Sequence, residues 1–365
     1  MGGGAKPFGD AGVKAAIGGG TPAATGGDAR AGGDARAGSG GAAPPASDDI
    51  GPASPGEREA ALRLAAETFE GFRAPFRRGS GWAERVHCFV LRAGGVVACA
   101  LFALELPLQW PDPGATSGLS VRTVAGLDSL VTAPGARGRG HASRLLEWVH
   151  RWAGEQGFAG TALFSEIGSA FYEKRGYTLF PMRFLRGALP SADEIRVGSA
   201  DRGRPFHAAD LPRVARTYIA ASRQCPLSVA RDLGYWRRQL RRQQQVEDLH
   251  SVRATRRDFV VSPGDPCCYL RSRHDGDIFT ILEALCPPGA ETALWRLARA
   301  EMARAAGEGC VRLVLHLPPW LLPPSDLVLR EAWYETFLVR PAPGVGWAPG
   351  GSGGNRPYIF RPDYF

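Results

Sequence analysis

The sequence predicts a mixed α/β fold, in which helices flank a central sheet, followed by a second α+β unit. Three observations support this prediction. Strand patterns alternate with amphipathic helix patterns along residues 55–190. Within them, a strand pattern over Val121–Ala133 leads through a glycine-rich turn into a helix pattern. A further series of helix and strand patterns fills residues 200–365.

Residues 1–54 are dominated by small and polar side chains, with Gly, Ala, Pro, Ser and Asp most frequent. A segment with so few large apolar residues cannot bury enough surface to offset the entropy lost on ordering. We therefore expect residues 1–54 to form a disordered tail and folding to begin near Pro55.

Residues 55–190 carry the pattern of a first folded unit. Apolar residues at helical spacing predict a helix over Ala60–Phe72. Strand patterns over His87–Leu91 and Val96–Leu108 meet at Arg92–Gly95, where two glycines predict a hairpin. The further elements predicted here are a loop over Trp110–Ser120, the Val121–Ala133 strand, a helix from Ala142 to about Gly157, a strand over Gly160–Phe164, a short helix over Ala170–Lys174 and a strand over Tyr177–Phe184.

The sequence of residues 200–365 predicts a second α+β unit. Its predicted elements are helices over Ala208–Arg223 and Ser228–Gln244, strands over Phe259–Arg271 and Asp277–Leu285, a helix over Pro288–Ala306 and a strand over Cys310–Leu317. The strand–helix–strand order at its end repeats an order of the first unit. An internal duplication of the fold is therefore one interpretation.

The composition excludes several classes of protein. Hydrophobic residues make up 44% and charged residues 22% of the chain, which is typical of globular proteins. The best candidate for a membrane span, Val96–Leu108, is short and contains Glu105. The seven cysteines are dispersed and form no C-x-x-C pair, so we expect neither a disulfide scaffold nor a zinc site. A reducing, cytoplasmic location fits best, with an organelle or the nucleus as alternatives.

The formal net charge of +8 raises the question of a polyanionic partner. The arginines are dispersed, and no basic and aromatic motif of a nucleic-acid-binding domain accompanies them. We therefore expect no nucleic acid and no membrane as partners. A phosphorylated small molecule accounts for part of the excess.

The turn that follows Val121–Ala133 has the features of a diphosphate-binding loop. Gly138 and Gly140 lack side chains, so the backbone can approach a ligand closely and adopt positive φ. The first N–H groups of the next helix have no partner within it, and the helix dipole favours an anion there. An ordinary basic turn is the simpler alternative. A dinucleotide-binding loop fits less well because G-x-G-x-x-G is incomplete.

Two motifs together resemble one family. Arg137-x-x-Gly140-x-Ala142, placed after a strand, resembles the acetyl-CoA signature of the GNAT acyltransferases. Ala170-Phe-Tyr-Glu-Lys-Arg-Gly-Tyr177, placed after the strand Thr161–Phe164, is similar to a second segment of that family. The resemblance implies a GNAT fold over about residues 57–190 and acetyl-CoA as the acyl donor.

The resemblance also implies roles for individual residues. The pyrophosphate would be held by Arg137, Gly138, Arg139, Gly140, His141 and Ala142, and the amides of the pantetheine arm would pair with Leu130, Val131 and Thr132. Tyr172 would act as the general acid that protonates the departing thiolate. The alternative for Tyr172 is a tyrosine that serves only in packing.

The acceptor amine must lose a proton, because a lysine ammonium with a pKa of about 10.4 is almost fully charged at neutral pH. A nearby carboxylate or water chain must help. Asp128 is the favoured base, because it lies on the same strand as the pantetheine-binding residues. A structural hydrogen bond is its alternative role. Glu105 and Glu166 are the other candidates for the base, and both are alternatively expected to bind the acceptor.

A narrower resemblance concerns the acceptor. Residues Phe164–Pro181 are similar to the fungal L-lysine N6-acetyltransferase family, with Glu166 in the place of an Asp. Val328–Glu331, Trp333-Tyr334 and Asn355–Tyr358 resemble its C-terminal domain. The resemblance implies direct acetyl transfer, in a ternary complex, to the side-chain amine of free L-lysine, with residues 200–365 closing the acceptor site. A protein or peptide lysine acetyltransferase and a non-catalytic acyl-CoA-binding regulator are the alternatives.

Overall fold

The computed structural model describes residues 49–69, 86–112, 114–116, 118–165, 168–198, 202–223, 225–250 and 255–347. Its strands are β1 (Asp49–Pro52), β2 (Val86–Ala93), β3 (Val96–Pro111), β4 (Leu119–Thr132), β5 (Gly160–Ser165), β6 (Thr178–Ala188), β7 (Arg204–Pro205), β8 (Thr255–Val261), β9 (Tyr269–Asp275), β10 (Ile278–Leu285), β11 (Arg312–Leu315) and β12 (Leu329–Pro341). Its helices are α1 (Pro55–Thr68), α2 (His141–Glu155), α3 (Ala170–Glu173), α4 (Leu211–Ser222), α5 (Leu233–His250) and α6 (Glu291–Gly307).

Some predictions fall outside these residues. Most of the predicted tail lies there, and so do Glu166 and the C-terminal segment Asn355–Tyr358. Among the described residues, no helix combines the length and the apolar character that crossing a membrane requires.

The strands form one mixed sheet in the order β1-β2-β3-β4-β5-β12-β6-β11-β10-β9-β8-β7. Among the strand pairs of the described residues, β4 with β5 and β10 with β11 are parallel and the others are antiparallel. Each parallel partner is reached through a crossover helix, α2 or α6. The predicted α/β class with flanking helices is confirmed.

The described residues form two repeats that share the order of their strands and the crossover helix before the last two strands, although the second repeat has two helices in the place of α1 and none in the place of α3. β1–β6 with α1–α3 form the first repeat, and β7–β12 with α4–α6 form the second. The last strand of each repeat lies in the other: β12 pairs with β5, and β6 pairs with β11. This arrangement agrees with an internal duplication. It also means that the boundary predicted near residues 190–200 separates two repeats that share one sheet.

The helices of the first repeat cover opposite faces of the sheet. The buried face of α2 has the predicted amphipathic spacing and packs on β2, β3, β4 and β5 through Leu145, Leu146, Val149 and Ala153. α1 packs on the other face, through Ala61 and Ala65 against a cluster that includes Phe102 and Val131. We call these the α2 face and the α1 face.

Regular structure lies within the segment that the composition predicted to be a disordered tail. β1 lies within residues 1–54 and pairs with β2, so the tail boundary at residue 54 is too far along the chain. α1 also begins before the predicted Ala60, because Ser54 caps it. Glu57 N–H donates to Ser54 Oγ at 3.4 Å, and Ser54 N–H donates to the Glu57 carboxylate at 2.8 Å. This reciprocal capping box fixes the start of the helix.

Two predictions in the second repeat are wrong. Phe259–Arg271 is not one strand but parts of β8 and β9, with a turn between them that contains Pro263 and Pro266. Proline lacks the N–H that a ladder needs, so the strand cannot continue through it. The helix predicted from Ser228 begins at Leu233, because Ser228–Ala230 instead pairs with the end of β3. β12 was not predicted.

Candidate active site

The parallel strands β4 and β5 separate at one end of their contact. They pair from Ala125 with Thr161 to Leu127 with Leu163 and no further. Both strands continue beyond this point, β4 to Thr132 and β5 to Ser165. The sheet therefore opens between them, and the backbone groups of β4 that point away from β3 border this opening.

A bulge in β4 lies at the start of the opening. The register with β3 shifts between Asp128, opposite Phe102, and Val131, opposite Ala100. Ser129 in the bulge has φ of 53°, in the left-handed region that side chains other than glycine rarely adopt. Its Oγ donates to Oδ1 of Asp128 at 2.8 Å. Because a bulge redirects the strand after it, this distortion sets the direction of Leu130–Thr132.

The strand ends in the predicted glycine turn. Gly138 and Gly140 both have φ of 77°, which explains the need for glycine at each. A Cβ placed on either residue would meet no other heavy atom within 4 Å. α2 starts at His141 with Gly140 as its N-cap, no side chain caps it, and its first turn has no acidic residue. The N-terminus of α2 thus suits a diphosphate because of the helix dipole, its backbone N–H donors and the open space around the turn.

The equivalent turn in the second repeat differs. The connection from β10 to α6, residues 286–290, is shorter than residues 133–140 between β4 and α2. α6 begins with Glu291, whose carboxylate accepts a hydrogen bond from Gly289 N–H at 3.1 Å. An acidic side chain of the protein already interacts with this helix N-terminus. The second repeat therefore lacks the features that suit the first turn to a diphosphate.

The structure brings the predicted cofactor residues together around β4 and α2. Arg137 and Arg139 are exposed, and Arg137 Nε donates to the carbonyl of Thr132 at 3.3 Å. The His141 side chain is buried, so its contribution to the turn is through its backbone. Val131 is buried on the α1 face, whereas Leu130 packs against the α2 face.

Tyr172 lies in α3 and packs into the α2 face of the first repeat, with 7% of its surface exposed. Its ring meets Tyr177 edge to face at a centroid distance of 5.8 Å and Phe171 at 5.0 Å. Burial raises the pKa of Tyr172 to about 12. The phenol is therefore fully protonated at physiological pH, as a proton donor must be.

Asp128 and Glu105 lie on opposite faces of the sheet. Asp128 is paired directly with Phe102, which packs on the α1 face. Glu105 follows Ala103 by two residues on β3, and Ala103 packs on the α2 face, as Tyr172 does. Asp128 is half-buried beside the opening, and Glu105 is exposed. The two carboxylates, which the sequence analysis placed in one acceptor site, are thus not brought together.

A buried polar network near Tyr172 was not predicted. Nδ1 of His150 on α2 lies 3.2 Å from Oγ1 of Thr161 on β5. The same Oγ1 lies 2.7 Å from the hydroxyl of Tyr177. Burial lowers the pKa of His150 to about 4, so its ring is neutral at physiological pH. The signal in the sequence is a histidine on the apolar face of α2, next to Val149.

Comparison with known proteins identifies the first repeat. The family model of the acetyltransferase (GNAT) domain matches residues 84–179. This part of the chain is a GNAT acetyltransferase domain, and it contains the opening, the glycine turn and Tyr172. A search of curated proteins found no match, so the narrower resemblance to the fungal lysine acetyltransferases is not confirmed.

Solved structures share the fold across both repeats. A probable N-acyltransferase from Enterococcus faecalis V583 is 11% identical, with a TM-score of 0.60 over 81% of this chain and 73% of that one. A GCN5-related N-acetyltransferase from Anabaena variabilis is 15% identical, with a TM-score of 0.58 over 80% and 72%. One from Kribbella flavida is 16% identical, with a TM-score of 0.57 over 80% and 71%. At these identities the similarity shows the GNAT fold alone.

Proposed function

We propose that the chain is an acetyl-CoA-dependent N-acetyltransferase that passes the acetyl group directly to an amine in a ternary complex. One observation carries the proposal: the strand that opens away from β5 leads straight into the glycine turn at the uncapped end of α2. The strand and the turn therefore form one continuous binding surface. Acetyl-CoA would supply the acetyl group as a thioester, with its diphosphate held by residues 137–142.

The residues of β4 would orient the donor. Backbone groups of Leu130, Val131 and Thr132 border the opening and would pair with the amides of the pantetheine arm. A backbone N–H of the same strand would donate to the thioester oxygen as negative charge develops there.

Tyr172 would give its phenolic proton to the departing sulfur. A thiol has a pKa of about 8.5 in water, below that of a phenol. Burial acts on both groups in the same direction, since each is an anion when deprotonated. A thiolate that leaves into a buried site is therefore more basic than in water, which favours its protonation by the phenol.

The cysteines of the first repeat support direct transfer. A cysteine that accepted the acetyl group itself would have to react as a thiolate. Burial raises the pKa of Cys88 and of Cys99 to about 11, so both are thiols at physiological pH. Cys99 also accepts a hydrogen bond from Thr132 Oγ1 at 3.3 Å.

The acceptor amine would approach from the α1 face, with Asp128 as its base. Further along this face, α4 and α5 of the second repeat cover the sheet, through contacts of Tyr218 and Trp236 with a core that includes Leu106 and Val124. Because these helices narrow the space on the α1 face, the face favours a small acceptor over a peptide. The specific acceptor we propose is the side-chain amine of free L-lysine, on the basis of the resemblance over residues 164–181.

The test is a turnover assay with acetyl-CoA and a panel of amines that includes L-lysine and a lysine-containing peptide. Release of free thiol reports turnover, and mass spectrometry locates the acetyl group. We expect L-lysine to be acetylated on its side chain, with intersecting initial-velocity lines. Parallel lines would instead indicate an acetylated enzyme. Acetylation of the peptide alone would favour the protein acetyltransferase. Acetyl-CoA binding without turnover on any amine would favour the regulator.

A further inference from the structure

Tyr172 sits in a helix that cannot fix its orientation alone. α3 spans only Ala170–Glu173, and a single helical turn is unstable without tertiary contacts. Arg175 binds this turn from one side, because its guanidinium donates to the carbonyl of Phe171 and to Ser143 Oγ on α2. These bonds hold the backbone of α3. They do not set the direction of the Tyr172 ring.

The ring of Tyr172 meets Tyr177 edge to face, at an interplanar angle of 74° and a centroid distance of 5.8 Å. Such a contact has a preferred geometry, so a fixed Tyr177 ring favours one orientation of Tyr172. Tyr177 is 4% exposed, and its hydroxyl lies 2.7 Å from Thr161 Oγ1. Tyr177 is thus held both by packing and by a hydrogen bond.

The hydrogen bond to Tyr177 belongs to a network that is closed to solvent. Thr161 is fully buried and His150 is 3% exposed. One arrangement satisfies all three groups: the Tyr177 hydroxyl donates to Thr161 Oγ1, which donates to Nδ1 of neutral His150. Because water cannot easily replace a partner here, removing one group leaves the others unsatisfied.

The network also involves the strand that borders the opening. Thr161 on β5 pairs with Ala125 on β4, two residues before the last pair that precedes the opening, and His150 lies on the helix that follows the glycine turn. The network therefore links three elements: the cofactor helix α2, the strand β5 and the segment just after α3.

We propose that Tyr177 is a positioning residue for Tyr172, and that Thr161 and His150 hold Tyr177 in place. The proposal rests on the proposed function, because it requires Tyr172 to be the proton donor. Tyr177 does not touch the reacting atoms. It acts by keeping the phenol of Tyr172 directed at the sulfur, so its loss should slow the chemical step and leave donor binding unchanged.

The experiment is a double-mutant cycle between Tyr177→Phe and Tyr172→Phe. For each variant, kcat and the KM for acetyl-CoA are measured. We expect Tyr177→Phe to lower kcat by about tenfold in the wild-type background, and by less than twofold where Tyr172 is already Phe. The KM for acetyl-CoA should stay within twofold in both. An equal loss of kcat in the two backgrounds would overturn the proposal. If Tyr172→Phe alone had wild-type turnover, the assigned role of Tyr172 would fail instead.

A second pair of variants decides the matter if Tyr177→Phe does not fold. Thr161→Ser keeps the hydroxyl, whereas Thr161→Val removes it at similar volume. We expect Thr161→Ser to retain most of the wild-type kcat. Thr161→Val should lose about as much kcat as Tyr177→Phe does. Equal kcat for the two would overturn the proposal. The matched control is Tyr269→Phe on β9, which removes a buried hydroxyl that donates to the Glu283 carboxylate at 2.7 Å. It should reduce stability without changing kcat.

Discussion

Arg340 on β12 forms an ion pair with Glu147 on α2, with its guanidinium 2.6 Å from the carboxylate. A strand of the second repeat thus contacts the helix that carries the glycine turn of the first. An ion pair this exposed contributes little by itself. The larger contribution to the stability of the first repeat comes from β12 itself, since this strand supplies the ladder partner of β5 from Gly160 to Ser165. The active site of the first repeat is therefore completed by the second.

This dependence predicts that the first repeat does not fold alone. A fragment of residues 49–198 lacks β12, so β5 loses one neighbour and β6 loses two. We expect it to show no cooperative thermal transition by circular dichroism, whereas the full chain melts cooperatively. A fragment with a cooperative transition and measurable acetyl-CoA binding would show that the repeats are independent domains.

A second prediction concerns the N-terminal boundary. A chain starting at Asp49 should match the full chain in Tm and in turnover, because it keeps β1 and the Ser54 cap. A chain starting at Pro55 loses both, together with the ion pair of Arg92 with Asp49. Loss of an N-cap typically costs about 1 kcal/mol, and the lost strand adds to it. Differential scanning calorimetry measures the difference. Equal Tm values for the two starts would contradict the role assigned to β1.

Much of the first repeat was predictable because its signals are local. The paired glycines at Gly94 and Gly95 encode the hairpin, and both have the positive φ that such a turn needs. The exchange of β6 and β12 was not predictable, because a strand pattern indicates extended backbone and not its neighbours. The Pro263–Pro266 turn, by contrast, was a visible signal that the prediction of one long strand overlooked.

The site was predictable to the level of motifs. The glycine turn was predicted from residue type and spacing, and the role of Tyr172 was predicted from the resemblance to the GNAT family. The separation of Asp128 from Glu105 onto opposite faces depends on the β3–β4 register, which spacing alone does not define. The bulge at Ser129 was hidden for another reason: serine rarely adopts positive φ, so nothing in the residue type marks the position.

A third prediction tests the glycine turn. Gly140→Val should weaken acetyl-CoA binding by at least about tenfold, because a branched side chain fills the space beside the N-terminus of α2 and strains a residue at positive φ. Isothermal titration calorimetry measures the affinity. Gly95→Val is the matched control, since Gly95 has φ of 79° and equally open surroundings in a hairpin away from the turn. Equal affinities in the two variants would contradict the assignment.

A fourth prediction follows from His150. The pKa of His150 is lowered to about 4 in the folded chain, chiefly by burial and also by Arg340, while Glu147 opposes the shift. An unfolded histidine has a pKa of about 6.5. Between these values the unfolded chain binds more protons, so stability falls as the pH drops from 6.5 towards 4. The slope contributed by His150 is at most on the order of 1 kcal/mol per pH unit.

Urea denaturation at a series of pH values measures this slope. His150→Gln cannot take up a proton, so its stability should depend less on pH between 6.5 and 4.5, above the range where most carboxylates titrate. The variant will be less stable overall, because the bond to Thr161 is altered. Only the slope tests the prediction, and an unchanged slope would mean that His150 is protonated in the folded chain.

The most direct test of the proposed chemistry is the turnover of Tyr172→Phe with acetyl-CoA and an accepted amine. The substitution removes one hydroxyl, preserves the ring contacts with Tyr177 and leaves the glycine turn untouched. We predict that kcat falls by about a hundredfold or more while the affinity for acetyl-CoA is unchanged, as expected for the loss of a general acid. A Phe variant that is folded, binds acetyl-CoA and turns over at the wild-type rate would contradict the assignment of Tyr172 as the proton donor.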